Sequence, residues 1–336
     1  MDKRVIFAVA GSGKTTYIVD SLSKRKRSLI VTYTIANYNN LSKKIAEKFN
    51  GTWPECITLM TYFAFLYRFC YKPYLSDQLK AKGVFYEMNT YKYVSQSQRS
   101  YYISPGNYIY SNRLSLLIEK SGVIEEVKHR IEKYFDEFVI DEVQDIAGRD
   151  FSYLEQLMDA NLNMLFVGDF YQHTFDTSRD GNTNKNLFND RNTYEAYFTS
   201  KGFICDKTTL IKSWRCSKNI CSFVSGMLGI DICSNRPDSD NTTIRFVTDP
   251  SEIQQLIADS SIIKLHYKDS ARFGTDHRNW GDTKGEDCHM DVCVLLNKTT
   301  ALMYSKGELR KLAPSTRNKL YVAITRAKGN VYLINE

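Results

Sequence analysis

The chain has no CxxC pair, no long apolar run and no internal repeat, and each absence removes a class of protein. Its eight cysteines stand at 56, 70, 205, 216, 221, 233, 288 and 293. That spacing supports neither a zinc ribbon nor an iron–sulfur cluster, so free thiols are expected. Cys288-His289 followed by Cys293 comes nearest to a ligand group, but Cys293 already belongs to an apolar strand pattern. The five histidines are scattered. No stretch reaches the roughly 18 consecutive apolar residues of a membrane helix, and no secretory leader pattern appears. The expected location is therefore cytoplasmic, with no membrane partner. Without a repeated period, a solenoid is also excluded.

What is present is enough apolar material for a core. A chain of 336 residues with 43% hydrophobic content supports two modest α/β domains. The formal net charge is +7, and basic clusters occur at Lys24-Arg-Lys-Arg27 and Lys43-Lys44. They are compatible with phosphate binding, although charge runs more often form a solvated surface.

The most specific local signal lies near the start. A strand-like Arg4-Val-Ile-Phe-Ala-Val9 leads into Ala10-Gly11-Ser12-Gly13-Lys14-Thr15-Thr16, and a helix-like Thr16-Tyr-Ile-Val-Asp-Ser-Leu leaves it. That is the context a phosphate-binding loop requires. Glycines let backbone N–H groups curl around an anion, and a helix N-terminus adds partial positive charge. Lys14 can reach the β- and γ-phosphates, and the Thr15 hydroxyl can hold Mg²⁺. Residues 10–16 are accordingly the expected ATP-binding residues.

Ala8 stands where the strict form of this loop has its first glycine. Ala-x-x-Gly-x-Gly-Lys-Thr resembles the loop of superfamily 1 helicases of the UvrD/Rep/PcrA type. Further segments resemble that family's motifs in the family's order. Phe138-Val-Ile-Asp141-Glu142-Val-Gln144-Asp145 is an apolar strand ending in acids, and Met164-Leu-Phe-Val-Gly168-Asp169-Phe-Tyr-Gln172 is again a strand with a polar tip. Ser213-Trp214-Arg215-Cys216 resembles Asn-Tyr-Arg-Ser. Gly281-Asp-Thr-Lys284-Gly285-Glu-Asp287 resembles Lys-Gly-x-Glu, with Asp287 in the acid's place. Tyr321-Val-Ala-Ile-Thr-Arg326-Ala resembles the last motif.

The resemblance covers nearly the whole chain and carries expected roles. Asp141, with Thr15, would hold Mg²⁺, and Glu142 would orient and deprotonate the attacking water. Gln172 would contact the γ-phosphate, with Lys284 and Gly285 also at the nucleotide. Arg215 and Arg326 would act as arginine fingers in cis. The implied fold is α/β: two RecA-like domains with parallel sheets and ATP in the cleft between them.

Two further segments resemble the family's nucleic-acid motifs. Leu29-Ile-Val-Thr32-Tyr33-Thr34-Ile-Ala-Asn37 places hydroxyls and an amide where backbone phosphates are held, and Thr58-Leu-Met-Thr61-Tyr62-Phe63-Ala-Phe65 resembles the aromatic segment that meets the strand. Aromatic faces stack on any base, so the expected ligand is single-stranded or partly duplex DNA without sequence preference, with RNA left open. Tyr33, Thr34, Asn37, Tyr62, Phe63 and Phe175 form the expected track. Tyr62, Phe63 and Phe65 read equally well as core.

The expected division is 1–205 for the ATP-binding domain and 206–336 for the second. Strand and helix patterns alternate to about residue 70, including a helix with Leu41, Ile45 and Phe49 on one face. Residues 71–110, rich in tyrosine and poor in periodicity, fall where the family inserts an accessory domain; here it would be small. A helical stretch over 114–134 leads back to the Asp141 strand.

Three departures separate the chain from the family pattern. The glutamine-bearing segment that recognises adenine before the loop is missing, which leaves base selectivity open. After Gln172 the family reads Ser-Ile-Tyr-x-Trp-Arg, whereas this chain reads His173-Thr-Phe175-Asp-Thr177-Ser178. The insertions are small, and no fused nuclease is expected. Two hypotheses follow: an ATP-driven 3′ to 5′ translocase or helicase, and an ATP-gated nucleic-acid-binding subunit serving a separate nuclease. A small-molecule P-loop kinase is disfavoured by Gln172, Arg215 and Arg326 standing in helicase order.

Overall fold

The computed structural model describes residues 1–87, 89, 93–174 and 183–336. Phe175, Thr177 and Ser178 lie outside the described residues. Two compact units emerge. The first comprises Met1–Ile6, Thr15–Gly168 and the described residues 183–206; the second comprises Phe7–Lys14, Asp169–Thr174 and Lys207–Glu336. No helix of the described residues is long and apolar enough to cross a membrane.

The first unit is built on strands β1 (Lys3–Phe7), β2 (Ser28–Thr32), β3 (Ile57–Thr61), β6 (Glu137–Asp141), β7 (Asn163–Gly168) and β8 (Ile204–Asp206), in the order β3-β2-β6-β7-β1-β8. β2 and β6 are buried along their whole length, the pattern expected of parallel strands covered on both faces. The pairs β2·β3, β2·β6, β6·β7 and β1·β8 are all parallel. Thr32 is in register with both Thr61 and Asp141, so the polar ends of three apolar strands meet at one sheet edge.

The helix after the loop, α1, spans Lys14–Ser21, and α2 spans Ile35–Lys48. Leu41 and Ile45 are fully buried, as their spacing predicts, while Phe49 caps the helix beneath the Lys24 and Lys48 ammonium groups. Lys48 Nζ donates to the carbonyls of Val19, Asp20 and Leu22, placing a cation at the C-terminal end of α1, where the helix dipole favours it. Within the 24–27 run, Lys26 pairs with Glu137, the first residue of β6, and Arg27 with Asp136 just before it.

The stretch expected as one helix over 114–134 is two, Ser111–Lys120 and Ile124–Tyr134. Gly122 sits between them at φ +71°, a left-handed conformation that stops a helix and that glycine adopts without a side-chain penalty. Within 71–110 the described residues form helices Lys72–Leu79 and Arg99–Tyr102 and a short parallel pair, β4 (Val84–Phe85) with β5 (Ile109–Tyr110). Tyr71, Tyr101, Tyr102 and Tyr110 are buried, so much of the tyrosine content there is packing.

The second unit holds a short pair, β9 (Lys212–Ser213) with β10 (Cys233–Ser234), and a five-stranded sheet. That sheet holds β11 (Ile244–Phe246), β12 (Ile263–His266), β13 (His277–Asn279), β14 (Val292–Leu296) and β15 (Val331–Asn335) in the order β11-β15-β14-β12-β13, all parallel. One core packs Val292, Val294 and Leu333 with Trp280, Leu320 and Ile324. A second gathers Cys293, Leu295 and Ile334 with Val247 and Leu256. The alternation along β14 between these two clusters is the period of two that a strand imposes.

Candidate functional site

In the first unit, the strand tips carry the acids. Asp141 ends β6 at 2% exposure, and Thr32 Oγ1 donates to its Oδ2 at 3.5 Å. A carboxylate beside a hydroxyl at the end of a parallel strand is a donor set suited to a hard cation such as Mg²⁺. Glu142 follows at φ +56°, ψ 47°. A non-glycine residue held left-handed costs roughly 1–2 kcal/mol, and such strain concentrates where a side chain must be aimed. Gln144 Nε2 donates to Glu142 Oε2. Gln144 itself is fully buried, and its Oε1 occupies the space where a Cβ on Gly168 would stand.

Of the expected strand-binding residues, Tyr33 and Thr34 follow β2, and Tyr62 and Phe63 follow β3, at the same sheet edge. Thr34 caps α2, its Oγ1 accepting from Asn37 N at 3.1 Å, so both residues have a local structural role. Tyr33 and Phe63 are half-buried with ring centroids 5.8 Å apart. Tyr62 is 3% exposed, and Phe65 is 1% exposed against Phe69 and Phe138. Tyr62 therefore offers no open face for a base, and its ring packs among Tyr33 and Phe63. Tyr86, which sequence reasoning missed, is 68% exposed and stands edge-on to Phe63 at 5.4 Å. Its place in the tyrosine-rich insertion was the available signal.

In the second unit, the loop Phe7–Lys14 is held by three backbone ties. Val9 N donates to Leu210 O at 3.0 Å, Ala10 N to the Tyr321 hydroxyl at 2.8 Å, and Trp214 N to Gly11 O at 2.9 Å. Gly11 and Gly13 have φ +69° and +87°. A Cβ on Gly11 would lie 2.6 Å from Arg215 Cβ, whereas one on Gly13 would meet nothing within 4 Å. Among the described residues, the Ser12 hydroxyl is buried without a hydrogen-bond partner. Left-handed glycines, open space over Gly13 and an unsatisfied buried hydroxyl fit a phosphate group. Lys14, 9% exposed, begins α1, and in the first unit Thr15 is half-buried while the Thr16 hydroxyl accepts from Lys44 Nζ at 2.8 Å.

The segment around Gln172 is tied into the same unit. Asp169 accepts from Tyr171 N through Oδ1 at 3.1 Å, and from Gln172 Nε2 and the Tyr321 hydroxyl through Oδ2, each at 2.9 Å. Burial and then the Asp169 charge push the Tyr321 phenol well above its ordinary pKa, so it stays a donor. Lys284 Nζ donates to Gln172 O at 2.9 Å, and Asn318 Nδ2 to His173 O at 3.1 Å. Gly285 adopts φ +84° just after Lys284.

The two arginines differ in setting. Arg215 Nε lies 2.8 Å from Asp287 Oδ1, and its Nη1 donates to Thr325 O. Arg326 is 2% exposed and donates to the carbonyls of Val322, Thr283 and Glu286. Beside Arg215 is a cavity of about 430 Å³ lined by Gly11, Trp214, Arg236, Asp287 and Lys328. That volume is in the range of small-molecule sites. Trp214, 69% exposed, presents an indole there. The sequence signal for it was its adjacency to Arg215. Cys293 is buried in β14 and does not join Cys288, which gathers with Glu286 and His289 within 4.8 Å.

No family model and no curated protein matches the chain. Among solved structures, arterivirus nonstructural protein 10, a helicase determined with DNA, matches at 14% identity over 99% of this chain and 60% of that one, with a TM-score of 0.50. Another structure of the arterivirus protein (15% identity, 99% and 59% coverage, TM-score 0.49) and the PRRSV helicase (14%, 99% and 52%, 0.49) are also similar. The chain spans about half to three-fifths of the length of these proteins. At such identity the likeness concerns the fold, which is similar to that of a viral helicase and does not single out the UvrD/Rep/PcrA type.

Proposed function

We propose that the chain is an ATP-dependent translocase or helicase of the superfamily 1 kind, moving 3′ to 5′ on single-stranded DNA. In this reading 1–205 and 206–336 are two RecA-like domains, and ATP is hydrolysed in the cleft between them. The observation that carries it is the hydrogen-bonded connection of Ala10, Tyr321, Asp169 and Gln172. That connection supports reading residues 10–14 as a phosphate loop, Gln172 as the glutamine at the γ-phosphate and residues 321–326 as the last motif of one site. An ordinary glycine-rich turn has no need of such neighbours.

The residues divide the chemistry. Gly11, Ser12, Gly13 and Lys14 bind and orient the phosphates, and Trp214 offers the base a stacking face beside Arg236 and Lys328. Thr15 and Asp141 would hold Mg²⁺, which supplies charge neutralisation on the phosphate oxygens when bound. Glu142, aimed by its left-handed backbone and its bond from Gln144, orients the attacking water and takes its proton. Gln172 senses the terminal phosphate, with Lys284 and Gly285 supporting its segment. Arg215 and Arg326 stabilise the charge that develops on it.

Tyr33, Phe63 and Tyr86 form the stacking surface for a strand, with Thr34, Asn37 and Thr61 near its backbone. The second reading is an ATP-gated subunit of a separate nuclease. The Arg215–Asp287 pair favours it, because the weak pair gives the finger a resting position that a partner protein could strengthen or release. Strand-stimulated ATP hydrolysis with directional displacement of a road-block supports the motor. Stimulation only by a protein partner supports the gated subunit and overturns the motor.

A further inference from the structure

We propose that Tyr321 is a positioning residue that couples the phosphate loop to Gln172 through its hydroxyl, so that Gln172 is correctly placed only when the loop is. The inference rests on the ATP-hydrolase reading and deepens it. The Tyr321 side chain is fully buried, and its ring packs among apolar neighbours that a phenylalanine would satisfy equally well. The hydroxyl is what needs explaining. It accepts from Ala10 N at 2.8 Å and donates to Asp169 Oδ2 at 2.9 Å, joining residues 311 and 152 positions away in the chain.

Asp169 passes the constraint on. Its Oδ2 also accepts from Gln172 Nε2 at 2.9 Å, so the carboxylate holds the glutamine side chain while the tyrosine holds the carboxylate. The helix carrying Tyr321, Pro314–Ile324, grips the same segment a second time, because Asn318, three residues earlier and on the same face, donates to His173 O. A displacement of Ala10 large enough to break its bond removes one of the two partners that fix the hydroxyl. The Asp169 carboxylate then keeps its bond from Tyr171 N but loses the tie that relates it, and the Gln172 amide it holds, to the loop. No proton is transferred in this coupling; only hydrogen-bond partners are kept or lost.

Tyr321→Phe is the direct test, since it deletes one oxygen and keeps the ring. Two measurements are made on the whole chain: backbone amide exchange without nucleotide, and steady-state ATP hydrolysis. Exchange should quicken at Ala10 and across 170–173 together, with a modest drop in melting temperature because the buried Ala10 N–H and Asp169 each lose a partner. Turnover should fall roughly 10- to 100-fold, as expected when a reacting group is misplaced, with KM for ATP changed much less. In a cycle with Gln172→Ala, the double variant should be no slower than Gln172→Ala alone. Asp169→Asn, which keeps the shape but only one acceptor oxygen, should reproduce the turnover loss and serves if Tyr321→Phe folds poorly. Unchanged exchange at 170–173 would overturn the coupling whether or not the chain hydrolyses ATP. Coupled exchange with additive losses in the cycle would overturn the catalytic role while leaving the hydrolase reading intact. Absence of hydrolysis in the parent chain would overturn that reading and, with it, the catalytic half of this one.

Discussion

Arg215 and Asp287 form an ion pair at 2.8 Å in which the arginine side chain is 12% exposed and the aspartate 63% exposed. The pair joins the motif after β9 to the acid that follows Gly285. Because the aspartate is largely in water, the pair is worth at most about 1 kcal/mol, which is enough to hold a guanidinium in one orientation and too little to trap it. Arg215 can therefore leave Asp287 for a phosphate at small cost.

That balance makes opposite forecasts for the two partners. Arg215→Ala should abolish most ATP turnover with a stability loss smaller than that of Arg326→Ala, since it gives up one carbonyl bond and not three, and Arg215→Lys should rescue poorly because it lacks the planar fork. Asp287→Asn should raise basal turnover by up to about five-fold, the equivalent of about 1 kcal/mol, by releasing the arginine. Rates from phosphate release on the three variants check this; a slower Asp287→Asn variant would place the acid in catalysis itself.

Arg326 should behave differently from Arg215. Its guanidinium satisfies the carbonyls of Val322, Thr283 and Glu286 in a buried setting. Arg326→Ala leaves those acceptors without their donor, at roughly 1–3 kcal/mol for each buried group left unsatisfied. Melting temperature and turnover should fall together in this variant. A melting curve matching the parent's would show that these bonds contribute nothing to the fold.

The catalytic acid and the loop lysine can be separated. Glu142→Gln should bind nucleotide normally and lose turnover, whereas Lys14→Ala should weaken binding. Glu142→Gly should also lose turnover, with relief of a left-handed strain of roughly 1 kcal/mol offsetting much of the loss of the bond from buried Gln144, so that it melts close to the parent. Calorimetry and titration with a nucleotide analogue test both; a clearly destabilised Glu142→Gly variant would mean the side chain supports the fold.

The strand surface yields a contrast between neighbours. Tyr86→Ala should weaken single-strand affinity by roughly 1–3 kcal/mol at unchanged stability, and Phe63→Ala should do so with some stability loss. Tyr62→Ala should instead cost stability, roughly 3–5 kcal/mol, because its ring is buried. Anisotropy with an oligothymidine and melting curves on the three variants separate track from core. Undiminished affinity in the first two would remove the surface from the account.

Much of the fold was readable because its signals are local. The continuous apolar runs of Leu29–Val31 and Phe138–Ile140 announced buried parallel strands, and the glycines around Ser12 announced a turn needing φ above zero. Gly122 was less legible, since a single glycine inside a helical pattern is often tolerated. The acid at 287 was assigned by its place in a motif, and only the contact with Arg215 shows what holds it. Tyr321 and Trp214 stood inside recognised motifs without a role. Their significance lies in contacts with Ala10, Asp169 and Gly11, which are remote in sequence and have no local periodicity to betray them. Tyr86 was obscured by an insertion in which most tyrosines are packing residues.

The most direct test of the whole account is phosphate release from Mg-ATP by the parent chain and by Glu142→Gln, each with and without single-stranded DNA. The account predicts hydrolysis by the parent that rises on adding the strand, and none above background in Glu142→Gln under either condition, with nucleotide still bound. Equal release by the two proteins, or none by the parent with the strand present, would contradict it.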